Sequence, residues 1–172
     1  ELGLIRNHYV GRTFIEPSQS IRSLGVKLKL SSTKSIVKNK SIILIDDSLV
    51  RGTTCFKIVK MLYESGASEV HVRIACPEIK FPDFYGVDMP TKEELLAYKK
   101  NNQQMCEYIK AKSLKFLSLS GMYNALIGEN RNANFPQFSD HYFTGDYPVK
   151  PADSIRGLKV KQLSLLSGKS NN

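Results

Sequence analysis

Tryptophan is absent from the 172 residues and cysteine occurs only three times. Cys55, Cys76 and Cys106 are an odd count, form no Cys-x-x-Cys pair and have no paired His nearby. Neither a disulfide framework nor a zinc site is supported, and free thiols in a reducing cytosol are expected. No apolar run approaches a membrane span, and residues 1–20 lack the apolar stretch of a signal peptide. A soluble cytoplasmic chain with no membrane partner is the expectation. Internal repeats are missing too. With 41% hydrophobic residues, 8 Tyr and 8 Phe, collagen-like, mucin-like and wholly disordered classes are excluded, and the length suits one packed core.

Acidic residues are few. Asp and Glu number 16 against 25 Lys and Arg, a formal net charge of +9 that makes a polyanion the first partner to consider. The excess is local. Residues 1–40 carry eight bases against Glu1 and Glu16, residues 151–172 carry four against Asp153, and the middle is balanced. A neutral folding unit with basic ends argues for a local anion-facing segment and against a protein-wide nucleic-acid surface. No nucleic-acid recognition motif accompanies the charge, so no specific nucleic acid is expected.

Along the chain, residues 1–40 read as a basic segment interrupted at Glu16-Pro17-Ser18, where Ser18 could cap a short helix running to Gly25. Ser41 to Ile45 is a run apolar on both faces, too short for a helix, which predicts a buried parallel strand ending in Asp46-Asp47. After the loop Ser48 to Gly52, the spacing of Phe56, Val59 and Leu62 predicts a core-facing helix from Thr53, with Gly66 past its end. Glu69 to Cys76 alternates as a second strand with Val70, Val72 and Ile74 on one face, completing a βαβ unit. Thr91-Lys92-Glu93-Glu94 has the form of a capping box opening a helix to about Lys100. A further helical piece spans Met105 to Ala111, a short apolar run spans Leu114 to Leu117, and a helix spans Ser118 to Ile127. Residues 128–150 show no periodicity, and 151–172 read as a basic, Ser-rich, disordered tail.

The chemistry concentrates at residues 42–54. Two adjacent carboxylates at the end of an apolar strand are costly unless they meet a ligand or cation, and open α/β sheets bind ligands at that edge. Ser48, Leu49, Val50, Arg51, Gly52, Thr53 and Thr54 follow, with small side chains, hydroxyls and a glycine at the start of a helix, where unpaired N–H groups face an anion. Paired carboxylates suit a vicinal diol or Mg²⁺, and the loop suits a phosphate monoester. A sugar phosphate with free cis hydroxyls satisfies both.

Ile42-Ile-Leu-Ile-Asp-Asp-Ser-Leu-Val-Arg-Gly-Thr-Thr54 resembles the phosphoribosyl diphosphate (PRPP) motif of type I phosphoribosyltransferases. With Ile5-Arg-Asn-His-Tyr-Val-Gly-Arg-Thr-Phe-Ile15 and Phe84-Tyr-Gly-Val-Asp88, the resemblance narrows to the amidophosphoribosyltransferases, over about residues 1–150. It implies an α/β fold, a partial type I phosphoribosyltransferase domain with a parallel sheet and flanking helices over 1–127, followed by C-terminal helices. The activity implied is the first step of purine synthesis, in which PRPP and glutamine-derived ammonia give phosphoribosylamine and pyrophosphate. Asp46 and Asp47 would hold the ribose hydroxyls and Mg²⁺, Ser48 to Thr54 would cradle the 5′-phosphate, and purine nucleotides would be further ligands. Residues 6–25, within a lid of about 1–40, would close over the substrate, with Tyr9 and Arg12 touching it.

The sequence also departs from the family. The glutaminase domain and the pyrophosphate-holding strand and loop are not found in it, so an upstream polypeptide is an expected partner, beside a possible homo-oligomer. Glutamine-dependent turnover by this chain alone is not expected. Some members hold an iron–sulfur cluster through cysteines before a Phe-Tyr-Gly and in a Cys-x-x-Cys before a Phe-Thr-Gly. This chain has Asp83 at the first place and Phe135 and Phe138 near the second, so no cluster is expected. Other readings are a non-catalytic module sensing PRPP or a purine nucleotide, and a phosphoribosyltransferase acting on a base.

Overall fold

The structure, a computed structural model, describes residues 3–6, 30–86 and 91–149. Its centre is a parallel sheet of β3 (Ser41–Asp46), β4 (Glu69–Ile74) and β5 (Ser113–Phe116), in that order. The register aligns Leu44, Val72 and Leu114 across the sheet, and Asp46, Ile74 and Phe116 at its end. β3 and β4 are joined through helix α2 (Thr53–Glu64). β4 leads through the turn Lys92–Glu94 and helices α3 (Leu96–Lys99) and α4 (Asn102–Ile109) to β5. Helices α5 (Leu119–Ile127) and α6 (His141–Thr144) follow.

The strand alternation places Val70, Val72, Ile74, Leu44 and Leu114 on the face covered by α2 and α4, which contribute Ile58, Val59, Leu62, Met105 and Ile109 to one core. Each of these side chains stabilises by about 1.5–3 kcal/mol on burial. Phe56, expected in the core, is half-buried and stands 6.4 Å from the Tyr108 ring. Gly66 has φ +94° just past the end of α2, the left-handed position that terminates a helix.

β3 differs from expectation. It is buried on one face only: Ile43 and Ile45 are 64% and 72% exposed. Leu44 on the other face is buried in the core, whereas the side carrying Ile43 and Ile45 meets solvent. Ile45→Thr is therefore expected to leave the unfolding midpoint unchanged within about 0.5 kcal/mol. The same change should lower the fluorescence of a dye that binds exposed apolar surface, read in the same titration.

The basic N-terminal segment is tied at its ends. β1 (Leu4–Arg6) and β2 (Leu30–Ser32) pair antiparallel, Leu4 with Ser32, and Leu4 and Leu30 pack against the core. A short helix, α1 (Lys34–Val37), follows. The expected lid is thus framed by two paired strands. The helix expected at Ser18–Gly25, and Tyr9 and Arg12, lie outside the described residues, as does the tail 151–172.

The capping box expected at Thr91 does not form. Thr91 makes no side-chain cap, Lys92–Glu94 is a 3-10 turn, and Leu95 is extended before α3 begins. The capping box of this region belongs to α4: Asn101 Oδ1 accepts from the Gln104 N–H at 2.9 Å, and Gln104 Oε1 accepts from the Asn101 N–H at 3.0 Å. Residues 128–149 carry one short helix, α6, and are otherwise irregular, with polar pairs in place of apolar periodicity. Asp140 accepts from Tyr123 Oη at 2.8 Å and from Arg131 Nε at 2.5 Å, and α6 begins immediately after it.

Candidate functional site

β3 carries Asp46 to the C-terminal edge of the sheet, where its carbonyl accepts from the Ala75 N–H at 2.9 Å and extends the pairing by one step. The Asp46 carboxylate is half-buried and accepts from the Asp47 N–H at 3.1 Å, while Asp47 is exposed and accepts from Ser48 Oγ at 3.1 Å. Burial pushes the Asp46 carboxyl above its ordinary pKa; the Asp47 N–H pulls it down, and the neighbouring Asp47 charge pushes it up again. The pair is a concentrated negative site that a cation or hydroxyl donors would relieve.

The loop turns from this pair into α2. Leu49 is buried in the core, so only its main chain is left to face a ligand. Gly52 is the N-cap of α2, with φ +75° and no side-chain cap. Ser, Thr or Asp there would satisfy the first-turn amides itself, whereas glycine leaves them to a ligand. Thr53 is half-buried and Thr54 exposed at the same helix start. A Cβ on Gly52 would lie 2.7 Å from Leu96 Cδ2 and 3.0 Å from Tyr108 Cε1, in a left-handed backbone. Gly52→Ala is expected to destabilise the chain by roughly 1–3 kcal/mol, read from urea unfolding midpoints.

The structure thus brings Asp46, Asp47, Ser48 and the start of α2 to one edge. It directs Arg51 differently: its Nε and Nη2 donate to Glu94 Oε2 at 3.1 and 2.7 Å. Sequence reasoning missed Glu94, because Thr91-x-x-Glu94 looks like a helix cap and nothing in its spacing points back across 43 residues to Arg51. A cavity of about 390 Å³ between Pro77, Asn102, Phe116, Ser118 and Phe143 lies elsewhere, and neither carboxylate lines it.

Two thiols flank the acidic pair. Burial, then the Asp46 charge, pushes the Cys55 thiol up to about 12; burial, then the Asp47 charge, pushes Cys76 up to about 11. Burial also raises Cys106. The thiolate is the reactive form, so at pH 8 all three are expected to alkylate slowly in the folded chain and fast in urea, counted by mass shift. Fast labelling of Cys55 without denaturant would contradict the packing.

A second polar cluster lies at Asp83. The carboxylate, 1% exposed, accepts from His141 Nε2 at 2.9 Å and from Tyr142 Oη at 3.1 Å, and His141 Nδ1 meets Ser139 Oγ at 3.0 Å. Counting back from Phe143-Thr144-Gly145, the Cys-x-x-Cys positions fall on Ser139 and Tyr142, not near Phe135 and Phe138. The fold joins these two positions and Asp83 around one buried imidazole.

No family model matches the chain. Among curated proteins, an amidophosphoribosyltransferase of Rhizobium etli is 54% identical over 168 residues, 97% of this chain and 34% of that protein. One of Staphylococcus aureus is 51% identical over 149 residues, 87% of this chain and 30% of that protein. Among solved structures, the Bacillus subtilis glutamine phosphoribosylpyrophosphate amidotransferase complexed with ADP and GMP aligns with a TM-score of 0.71 at 47% identity, covering 86% of this chain and 32% of that one. The architecture is that of a type I phosphoribosyltransferase. The chain spans about a third of the length of the relatives it matches.

Proposed function

Over the stretch it shares with them, the chain is a member of the amidophosphoribosyltransferases, matching their C-terminal part, and on that premise we propose that its strand–loop–helix unit binds the ribose 5-phosphate portion of PRPP. The single observation that carries this is the adjacency of the Asp46-Asp47 pair to an α2 start whose N-cap is a glycine. A diol and a phosphate monoester are the two groups these features accept, and a ribose 5-phosphate holds them at fixed spacing.

In this reading Asp46 and Asp47 accept hydrogen bonds from the ribose hydroxyls, each charge-assisted bond contributing about 1.5–3 kcal/mol. The amides from Ser48 to Thr54 and the hydroxyls of Ser48, Thr53 and Thr54 enclose the phosphate. Tyr9 and Arg12, between β1 and β2 in sequence, reach the substrate from a lid that keeps out water. Orientation of C1 toward incoming ammonia, with pyrophosphate departing, follows from fixing both ends of the sugar. Adjacent carboxylates are hard oxygen donors of the kind Mg²⁺ takes one or two at a time, with substrate and water completing its shell. Among the described residues no group of three or more His, Cys, Asp or Glu could hold a metal ion without further donors. Bound there, the cation would neutralise charge on the departing pyrophosphate. Three unpaired thiols suit a cytoplasmic setting.

Glutamine hydrolysis and pyrophosphate capture are assigned to the part of the relatives' length that this chain does not match. The test mixes the full chain with the part of the Rhizobium etli relative that precedes the match and measures PRPP-dependent pyrophosphate release with ammonia. Release that is lost with Asp47→Ala is expected. A complex that forms, binds PRPP and releases nothing would favour a non-catalytic sensor. Because a solved neighbour holds ADP and GMP, GMP is expected to compete with ribose 5-phosphate at this loop.

A further inference from the structure

Three consecutive loop residues are held by the turn Lys92–Glu94 and the helices that follow it. The Val50 carbonyl accepts from the Leu96 N–H at 2.9 Å. The Arg51 guanidinium places two donors on one Glu94 oxygen. At Gly52 there is no room for a Cβ beside Leu96 and Tyr108. Backbone amides can grip an anion only if they already point at it, because ordering a loop on binding subtracts from affinity.

We propose that Glu94 is a positioning residue. By holding Arg51 it fixes the backbone of residues 50–52 in its anion-receiving form, and Arg51 serves as a brace rather than as a ligand of the phosphate. This rests on the ribose 5-phosphate reading of the loop. Glu94 is a negative charge near an anion site, so by Coulomb's law alone its removal would strengthen phosphate binding. If Glu94 merely masked a guanidinium that could otherwise grip the phosphate, its removal would strengthen binding further. A loss on removing Glu94 runs against this charge effect and points to geometry. Both side chains are substantially exposed, at 40% and 52%, so the pair adds little to global stability.

The experiment titrates ribose 5-phosphate with Mg²⁺ into the full chain by calorimetry, for wild type, Glu94→Met (which keeps the side-chain length and has no carboxylate or amide oxygen), Arg51→Gln and the double variant, with thermal unfolding in parallel. Each single variant is expected to bind roughly three- to tenfold more weakly. The double variant should be no weaker than the worse single, since one contact is lost in all three, and the unfolding midpoints should coincide. Arg51→Lys, which keeps the charge but loses the paired donors, is expected to fall between wild type and Arg51→Gln. Unchanged or tighter binding by Glu94→Met, additive losses in the double variant, or wild-type binding by Arg51→Lys would overturn the inference while leaving the site in place. Failure of the wild type to bind would overturn the site itself, and this inference with it.

Discussion

Asp46→Asn is expected to raise the unfolding temperature of the chain while weakening Mg²⁺-dependent binding of ribose 5-phosphate by roughly 10- to 100-fold. The two effects have one origin. Burial, and then the adjacent Asp47 charge, oppose ionisation of Asp46 more than the Asp47 N–H favours it, so its carboxyl takes up a proton at a higher pH when folded than when unfolded. Between those two pKa values the native chain holds more protons, and stability falls as pH rises through that window. At neutral pH Asp46 is therefore a stability cost retained for its charge. Asparagine keeps an oxygen for the Asp47 N–H and removes the cost, but it offers a cation or a diol a weaker acceptor. Parallel thermal scans and calorimetric titrations check both halves. A variant that binds as well as wild type would detach Asp46 from the site.

Asp140→Ala should be the most damaging single change to the fold, at about 3–5 kcal/mol in urea unfolding, because it strands a partly buried guanidinium and a buried phenol. Arg131 Nε meets Asp140 Oδ2 at 2.5 Å, Tyr123 Oη donates to the same oxygen at 2.8 Å, and Thr144 Oγ1 donates to Oδ1 at 3.1 Å. Burial acts to raise the Asp140 carboxyl, but these donors outweigh it and hold it below its ordinary pKa. Its contribution is full above the unfolded carboxylate pKa and is lost as pH falls through the lower folded one. Tyr123→Phe removes one donor and leaves the ion pair, so a loss of only about 1 kcal/mol is expected. Equal losses for the two variants would show that Arg131 is not held by Asp140.

What could be read in the sequence and what could not divide along physical lines. β4 was legible because strict alternation has one solution on a sheet with one covered face: Val70, Val72 and Ile74 go inward. The strand, loop and helix over residues 41–64 were legible because an apolar run, a stretch of small residues and then helical spacing follow one another locally in sequence. Ile43 and Ile45 misled, because an apolar run reports what a strand can tolerate and not what covers it. Thr91 misled because a capping box needs the helix to continue, and Leu95 is extended. Glu94, Asp83 and Asp140 were invisible as partners because polar pairs across long sequence separations carry no periodic signal. The aperiodic stretch after Ile127 is held by such pairs, with Asp83 and His141 joined across 58 residues.

The Asp46-Asp47 pair and the start of α2 are proposed as one site for a ribose 5-phosphate. The most direct test is a calorimetric titration of ribose 5-phosphate into the full chain with and without Mg²⁺, repeated with Asp47→Asn. Saturable one-to-one binding that is strengthened by Mg²⁺ and lost in the variant is predicted. No binding, or binding indifferent to both the cation and the carboxylate, would contradict it.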